Sequence, residues 1–147
     1  MDGNGQPSNG STIIPCLRYR DAQAAIDWLQ RAFGFHAQAV YADGDTVFHA
    51  QLTFGNGMIM LGSANKESAW SQHAAMPDEV GGRQTQSACV IVTDADAHYA
   101  RAKAAGARIV IDIADQDYGG RGYACADPEG YLWWFGSYDP WRADHGQ

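Results

Sequence analysis

The 147-residue sequence carries two polar groupings with residue types that chemistry needs. His49 and Gln51 stand two apart in an otherwise apolar run, which puts both side chains on one face of a strand. An imidazole there can work as a general base or as a hydrogen-bond anchor. It can equally be a hydrogen-bonded structural histidine, and the pair, lacking a carboxylate, is too small a donor set to hold a metal tightly. The second grouping is Asp115-Gln116-Asp117-Tyr118-Gly119-Gly120-Arg121. Here Arg121 can pair with an anionic ligand while Tyr118 and Tyr123 stack on it, or the segment is a turn in which Arg121 bridges an acidic neighbour. Trp70 adds a ring in a long polar stretch, where it closes over a ligand, fills the core or packs on a partner chain.

Other chemistry lacks its pattern. Gly119-Gly120-Arg121-Gly122 opens no helix and has no Gly-Lys-Ser/Thr ending, so it is not a phosphate loop. There is no Gly-x-Ser-x-Gly elbow. Cys16, Cys89 and Cys125 are odd in number, far apart and without a C-x-x-C pair, which fits buried structural thiols rather than a disulfide framework or a zinc knuckle. With 10 Lys and Arg against 17 Asp and Glu, the net charge of -7 opposes nucleic acid and anionic lipid as partners. No apolar run approaches the roughly 18 to 20 residues of a membrane span. Residues 1–11 have no cationic and apolar secretory pattern and read as a loose tail, so the expected location is the cytoplasm.

The elements that would position these groups repeat one plan. Ile13 to Tyr19 reads as a strand, Asp21 as an N-cap, and Gly34 as the left-handed stop of a helix over residues 21–33. Between the caps, Ala22, Ala25, Ile26, Leu29, Ala32 and Phe33 recur at helical spacing as a buried stripe. The second copy has Cys89 to Val92, Asp94, a helix over 94–105 with Ala95, Tyr99, Ala102 and Ala105 as its stripe, and Gly106. The two caps lie 73 residues apart, half the chain. After each helix the period falls to two. Strands are expected at 35–41, 47–54 and 58–61, then at 108–113, 122–126 and 131–137, with turns at Gly55-Asn56-Gly57 and Asp127-Pro128-Glu129-Gly130. The organisation is a single domain over 12–138 of two βαβββ modules, about 12–62 and 87–138. A long loop, 63–86, joins them, and tails lie at 1–11 and 139–147.

This duplicated α+β plan resembles the vicinal oxygen chelate superfamily of glyoxalase I, extradiol dioxygenases and bleomycin resistance proteins. The resemblance rests on Tyr19-Arg20-Asp21 with Ala32-Phe33-Gly34-Phe35, on Phe48-His49-Ala50-Gln51-Leu52, and above all on the run from Asp127-Pro128-Glu129-Gly130 to Trp133-Trp134-Phe135-Gly136. It implies curved mixed sheets around a cupped cavity, with one helix per module on the convex side, and a homodimer. It also implies four metal-ligand positions, which here hold Ile14, Met60, Ser87 and Trp134. None is an imidazole or a carboxylate, so neither a metal nor any other cofactor is expected.

If Trp134 takes the concave position, the strand period puts Leu132 and Gly136 beside it and sends Trp133 and Phe135 under the helices. The same parity sends Phe48, Ala50 and Leu52 to the core and His49, Gln51 and Thr53 to the concave face, and it leans Cys16 and Cys89 toward the cavity. The ligand-binding set is therefore His49, Gln51, Trp134, Arg121, Tyr118, Tyr123 and Trp70. The function this implies is metal-independent binding of an aromatic, antibiotic-like or cationic small molecule. An enzyme stands against it: a metal-dependent lyase, isomerase or dioxygenase with a non-standard donor set, for example His49 with residues of the second module. A scaffold whose cavity is filled by its own side chains is the third reading.

Overall fold

A computed structural model describes residues 9–65 and 67–142. The tail expectations for residues 1–8 and 143–147 lie outside the described residues. The chain forms two compact units. The first holds β1 (Cys16–Tyr19), α1 (Ala22–Phe33) as far as Gln30, β2 (His36–Asp43), β3 (Thr46–Phe54) and β4 (Gly57–Ser63). The second holds the last turn of α1, Arg31 to Phe33, then β5 (Ala88–Ile91), α2 (Ala95–Ala104), β6 (Arg108–Asp115), β7 (Arg121–Ala126) and β8 (Leu132–Gly136). The expected long loop carries two 3-10 turns, Trp70–His73 and Pro77–Val80.

Each unit has one four-stranded mixed sheet, and the two share a topology: β1-β4-β3-β2 and β5-β8-β7-β6. The first strand of each runs parallel to the last, and the remaining pairs are antiparallel. The fold is thus α+β with a repeated βαβββ plan, as the periodicity required.

The caps work as their residue types dictate. Asp21 Oδ1 accepts the Ala24 N–H at 3.1 Å, and Asp94 Oδ1 accepts the Ala97 N–H at 3.0 Å, each satisfying an orphan amide of a first turn. Gly34, at φ 89°, ends α1 and returns its N–H to the Gln30 carbonyl. The six residues of the α1 stripe are all buried. Along β4 and β8, burial alternates: Ile59, Leu61 and Ser63 are buried, as are Trp133 and Phe135, while Met60 and Trp134 lie on the open face.

In the second unit α2 packs on β6, β7 and β8. Its core gathers Phe33, Tyr123, Cys125, Trp133 and Phe135, with Phe33 4.6 Å from Phe135 between ring centroids. His98 of α2 enters this core. Its Nε2–H donates to the Phe33 carbonyl at 2.9 Å, so its Nδ1 accepts the Tyr123 hydroxyl hydrogen at 2.6 Å. Burial holds this imidazole below its ordinary pKa, and the Arg101 charge adds to that against the opposing Phe33 bond.

The Asp-Pro-x-Gly turn is a folding device. Buried Asp127 accepts the Glu129 and Tyr131 N–H groups through Oδ1 and the Trp133 indole N–H through Oδ2, tying the turn to the strand that follows it.

Two expectations change. Of the three thiols only Cys125 is buried, and burial together with the Asp127 charge pushes it up to about 12. Cys16 and Cys89 are exposed on the open faces, opposite Met60 and Trp134. Phe48, expected in the core, is 48% exposed. The reason is a bulge, in which β2 pairs Tyr41 with His49 and then Ala42 with Val47, so Phe48 is an extra residue and the strand parity resets across it.

Candidate functional site

The bulge shapes the open face of the first sheet. Val47 turns inward, and its N–H finds the Ser63 hydroxyl at 2.8 Å in place of a ladder carbonyl. Phe48 and His49 are then both left on the open side. They line a recess of about 190 Å3 with Cys16, Arg18, Met60 and Gly62, and Trp70 of the 3-10 turn completes its wall. Trp70 is 64% exposed.

His49 is held from two sides. Its ring stacks on Tyr41 at 6.1 Å, and Gln51 lies 2.9 Å from its Nε2. Gln51 Nε2 donates to Gln38 Oε1, so Gln51 Oε1 is the atom turned toward the imidazole. His49 Nε2 therefore carries the hydrogen, and in the neutral ring Nδ1 is the acceptor. The row His49, Gln51, Gln38 crosses from β3 to β2 as one polar ridge.

The second sheet's open face is apolar. Trp134 stands opposite Cys89 on β5 and Ala124 on β7. Its indole runs over Gly122 and Gly136, which face each other across the β7–β8 ladder. A Cβ on Gly122 would stand 2.5 Å from Trp134 Cζ2, and one on Gly136 would stand 3.0 Å from its Nε1. One edge of the ring thus rests on bare backbone. The other side of Trp134 borders a recess of about 360 Å3, lined by Leu132, Ala124, Val110 and Ile111 and by the polar segment Gln84 to Ser87. A third recess, about 460 Å3, lies among loop residues Pro77, Val80, Arg83 and Gln86 and Tyr131.

Three expected site residues are elsewhere. Tyr123 is fully buried on the α2 side with its hydroxyl on His98, because its position on β7 shares parity with Cys125, not with Ala124. Arg121 has the same parity and reaches Asp115 at 3.0 Å and Asp96 at 3.2 Å, so it is a bridge between the end of β6, α2 and β7. Tyr118 packs edge-on against Tyr138 at 5.0 Å and lines none of the three recesses. Sequence reasoning missed Arg18 and Phe48. Alternation from Cys16 would have found Arg18, while Phe48 needed the bulge, which leaves no trace in the residue types.

The metal positions implied by the resemblance hold an alkyl, a thioether, a hydroxyl and an indole. The Trp134 ring bears no lone pair for coordination, and its Nε1 edge lies against Gly122 and Gly136. Among the described residues no three of His, Cys, Asp and Glu gather into a group that could hold an ion. This donor set does not fit a zinc, iron, nickel or manganese centre. Among the described residues no helix is long and apolar enough to cross a membrane.

A family model described as the Glyoxalase/Bleomycin resistance protein/Dioxygenase superfamily matches residues 12–135. The uncharacterized protein Rv0887c of Mycobacterium tuberculosis is 32% identical over 125 residues, covering 84% of this chain and 72% of the other. The crystal structure of TioX from Micromonospora sp. ML1 superposes with a TM-score of 0.69 at 36% identity, covering 86% of this chain and 98% of that one. A mutant of the fosfomycin resistance protein FosX from Listeria monocytogenes, complexed with manganese(II) and a dihydroxypropylphosphonic acid, shares the fold with a TM-score of 0.63 at 14% identity, over 88% of this chain and 91% of that one.

Proposed function

The chain belongs to the glyoxalase/bleomycin resistance protein/dioxygenase superfamily, and from that premise we propose that it is a metal-independent binder of planar aromatic small molecules. The observation that carries this reading is the seat of Trp134. Two glycines clear the backbone beneath its indole, and the ring borders a recess with aliphatic residues on the sheet and the polar segment Gln84 to Ser87 at its side. A side chain placed so offers a large stacking surface and no coordination chemistry. Ligand is held by stacking and desolvation, as an antibiotic-sequestering protein would hold it, with no covalent change.

The polar ridge of His49, Gln51 and Gln38 supplies hydrogen bonds on the first sheet's open face, beside Trp70. Among the described residues no acidic side chain lines any of the three recesses, so an aromatic ligand is better supported than a cationic one. The reading includes a cytoplasmic homodimer. Exposed Val40 and Tyr41 on β2 support the dimer, and sedimentation at micromolar concentration tests it.

The test of function is quenching of tryptophan fluorescence by a panel of planar aromatic compounds, with chelator-treated protein and with Trp134→Ala. Binding that survives chelation and weakens in the variant supports the proposal. Stoichiometric uptake of zinc, nickel, manganese or iron, with binding or turnover that depends on it, overturns it in favour of a lyase, isomerase or dioxygenase.

A further inference from the structure

A bulge shapes the second sheet's open face as one does the first. β6 pairs Ile109 with Cys125 and then Ile111 with Ala124, so Val110 is an extra residue and both it and Ile111 are left exposed. Across the ladders Trp134, Ala124 and Ile111 form one row, with the indole residue at one end, the branched alkyl at the other and a single methyl between them. That methyl is a low floor between two taller neighbours. The recess of about 360 Å3 beside Trp134 lies over it.

The polar side of the recess is built by a clip. Gln84 turns its amide onto Leu132, accepting that residue's N–H at 3.2 Å and donating to its carbonyl at 3.4 Å, as a neighbouring strand would. This holds the segment that follows, Thr85 to Ser87, beside the recess until β5 begins at Ala88. Among the described residues the Thr85 and Ser87 hydroxyls and the Gln86 amide make no hydrogen bond within the protein. Each of these groups both donates and accepts. Among the described residues no charged side chain lines this recess: Arg83 lines the neighbouring one, and Asp112 of β6 accepts the Tyr99 hydroxyl hydrogen from α2.

We infer that the recess beside Trp134 takes an uncharged planar ring with a carboxamide-like edge, the ring against the indole and the aliphatic floor and the edge against Thr85, Gln86 and Ser87. The inference rests on the reading of the chain as a binder of planar compounds and names the chemical class that this site selects. An amide edge both donates and accepts, so it matches the groups of the clipped segment and buries no polar atom of its own without a partner. A carboxylate or amidinium of the same shape would give up its hydration with no counter-charge in the lining. A bare hydrocarbon ring would strip water from the hydroxyls and the amide and return nothing.

The experiment uses the full chain and planar probes on one frame, naphthamide, naphthoate, naphthamidine and methylnaphthalene, all substituted at the same carbon. Affinity is read by NMR titration of the Trp134 indole N–H, assigned by its loss in Trp134→Phe. Naphthamide is expected to move that signal and to bind about tenfold or more tightly than either charged probe. Thr85→Val combined with Gln86→Leu, both at exposed positions, brings naphthamide to within about threefold of methylnaphthalene. Gln84→Leu, which unclips the segment, narrows the same gap while methylnaphthalene stays within about twofold of its wild-type affinity. Another probe that binds as tightly as naphthamide, or a folded Thr85→Val/Gln86→Leu protein that keeps the full preference over methylnaphthalene, overturns the inference and leaves the binding of planar compounds standing. If no probe moves the Trp134 signal, this recess is not a site for planar compounds, and the functional reading falls with the inference.

Discussion

Trp134 and Gly122 occupy complementary space: the indole Cζ2 lies 2.5 Å from where a Cβ of residue 122 would be. The seat of the ring is therefore written into the neighbouring strand. Gly122→Ala is expected to drive the indole off the sheet and to destabilise the protein by about 1 to 3 kcal/mol, the usual cost of overpacking. Chemical denaturation measures it. An alanine tolerated without loss would mean that the ring is free to leave.

The bulge in β3 depends on one hydroxyl. Ser63 accepts the buried Val47 N–H at 2.8 Å, and Ser63→Ala leaves that donor without a partner. The expected loss is about 1 to 3 kcal/mol, with faster hydrogen exchange at Val47. A Val47 amide still protected in the variant would show that another acceptor sets the bulge.

Buried His98 makes stability fall on acidification. Its native pKa is held below the ordinary value of about 6.5, first by burial, so the unfolded chain binds the proton more readily. The stability it confers is complete above about pH 6.5 and is lost as pH falls toward the depressed native value. Denaturation midpoints from pH 7 to pH 5 should decline, and His98→Gln should flatten that decline. An equal slope in the variant would place the effect on other groups.

Much of this was legible in the residues. Asp21 with Gly34, and Asp94 with Gly106, announced two helices because capping chemistry is local, and the period of two placed Trp133 and Phe135 inward and Trp134 outward. Phe48 was not legible, since a bulge resets parity without changing any residue type. Tyr123 and Arg121 face the α2 side for a simpler reason. Their one-residue offset from Ala124 and Gly122 decides the face, and the alternation along β7 carries that in the sequence. That the last turn of α1 joins the second unit, through Phe33 and His98, is a long-range contact that no local pattern encodes.

His49 is proposed as a binding anchor and not as a base. His49→Ala should weaken a ligand that donates to Nδ1 by about 0.5 to 1.5 kcal/mol, the net scale of one hydrogen bond, and should leave folding intact. Calorimetric titration compares the two proteins. A turnover that vanishes with His49 would instead make the protein an enzyme.

The most direct measurement is the affinity of planar aromatic compounds for chelator-treated wild type and for Trp134→Ala, read by calorimetry under identical conditions. Binding is expected without metal and should weaken by about 1 to 3 kcal/mol when the indole is removed, the scale of one well-packed aromatic contact. Binding that appears only when a divalent metal is restored, or that is unchanged in Trp134→Ala, would contradict it.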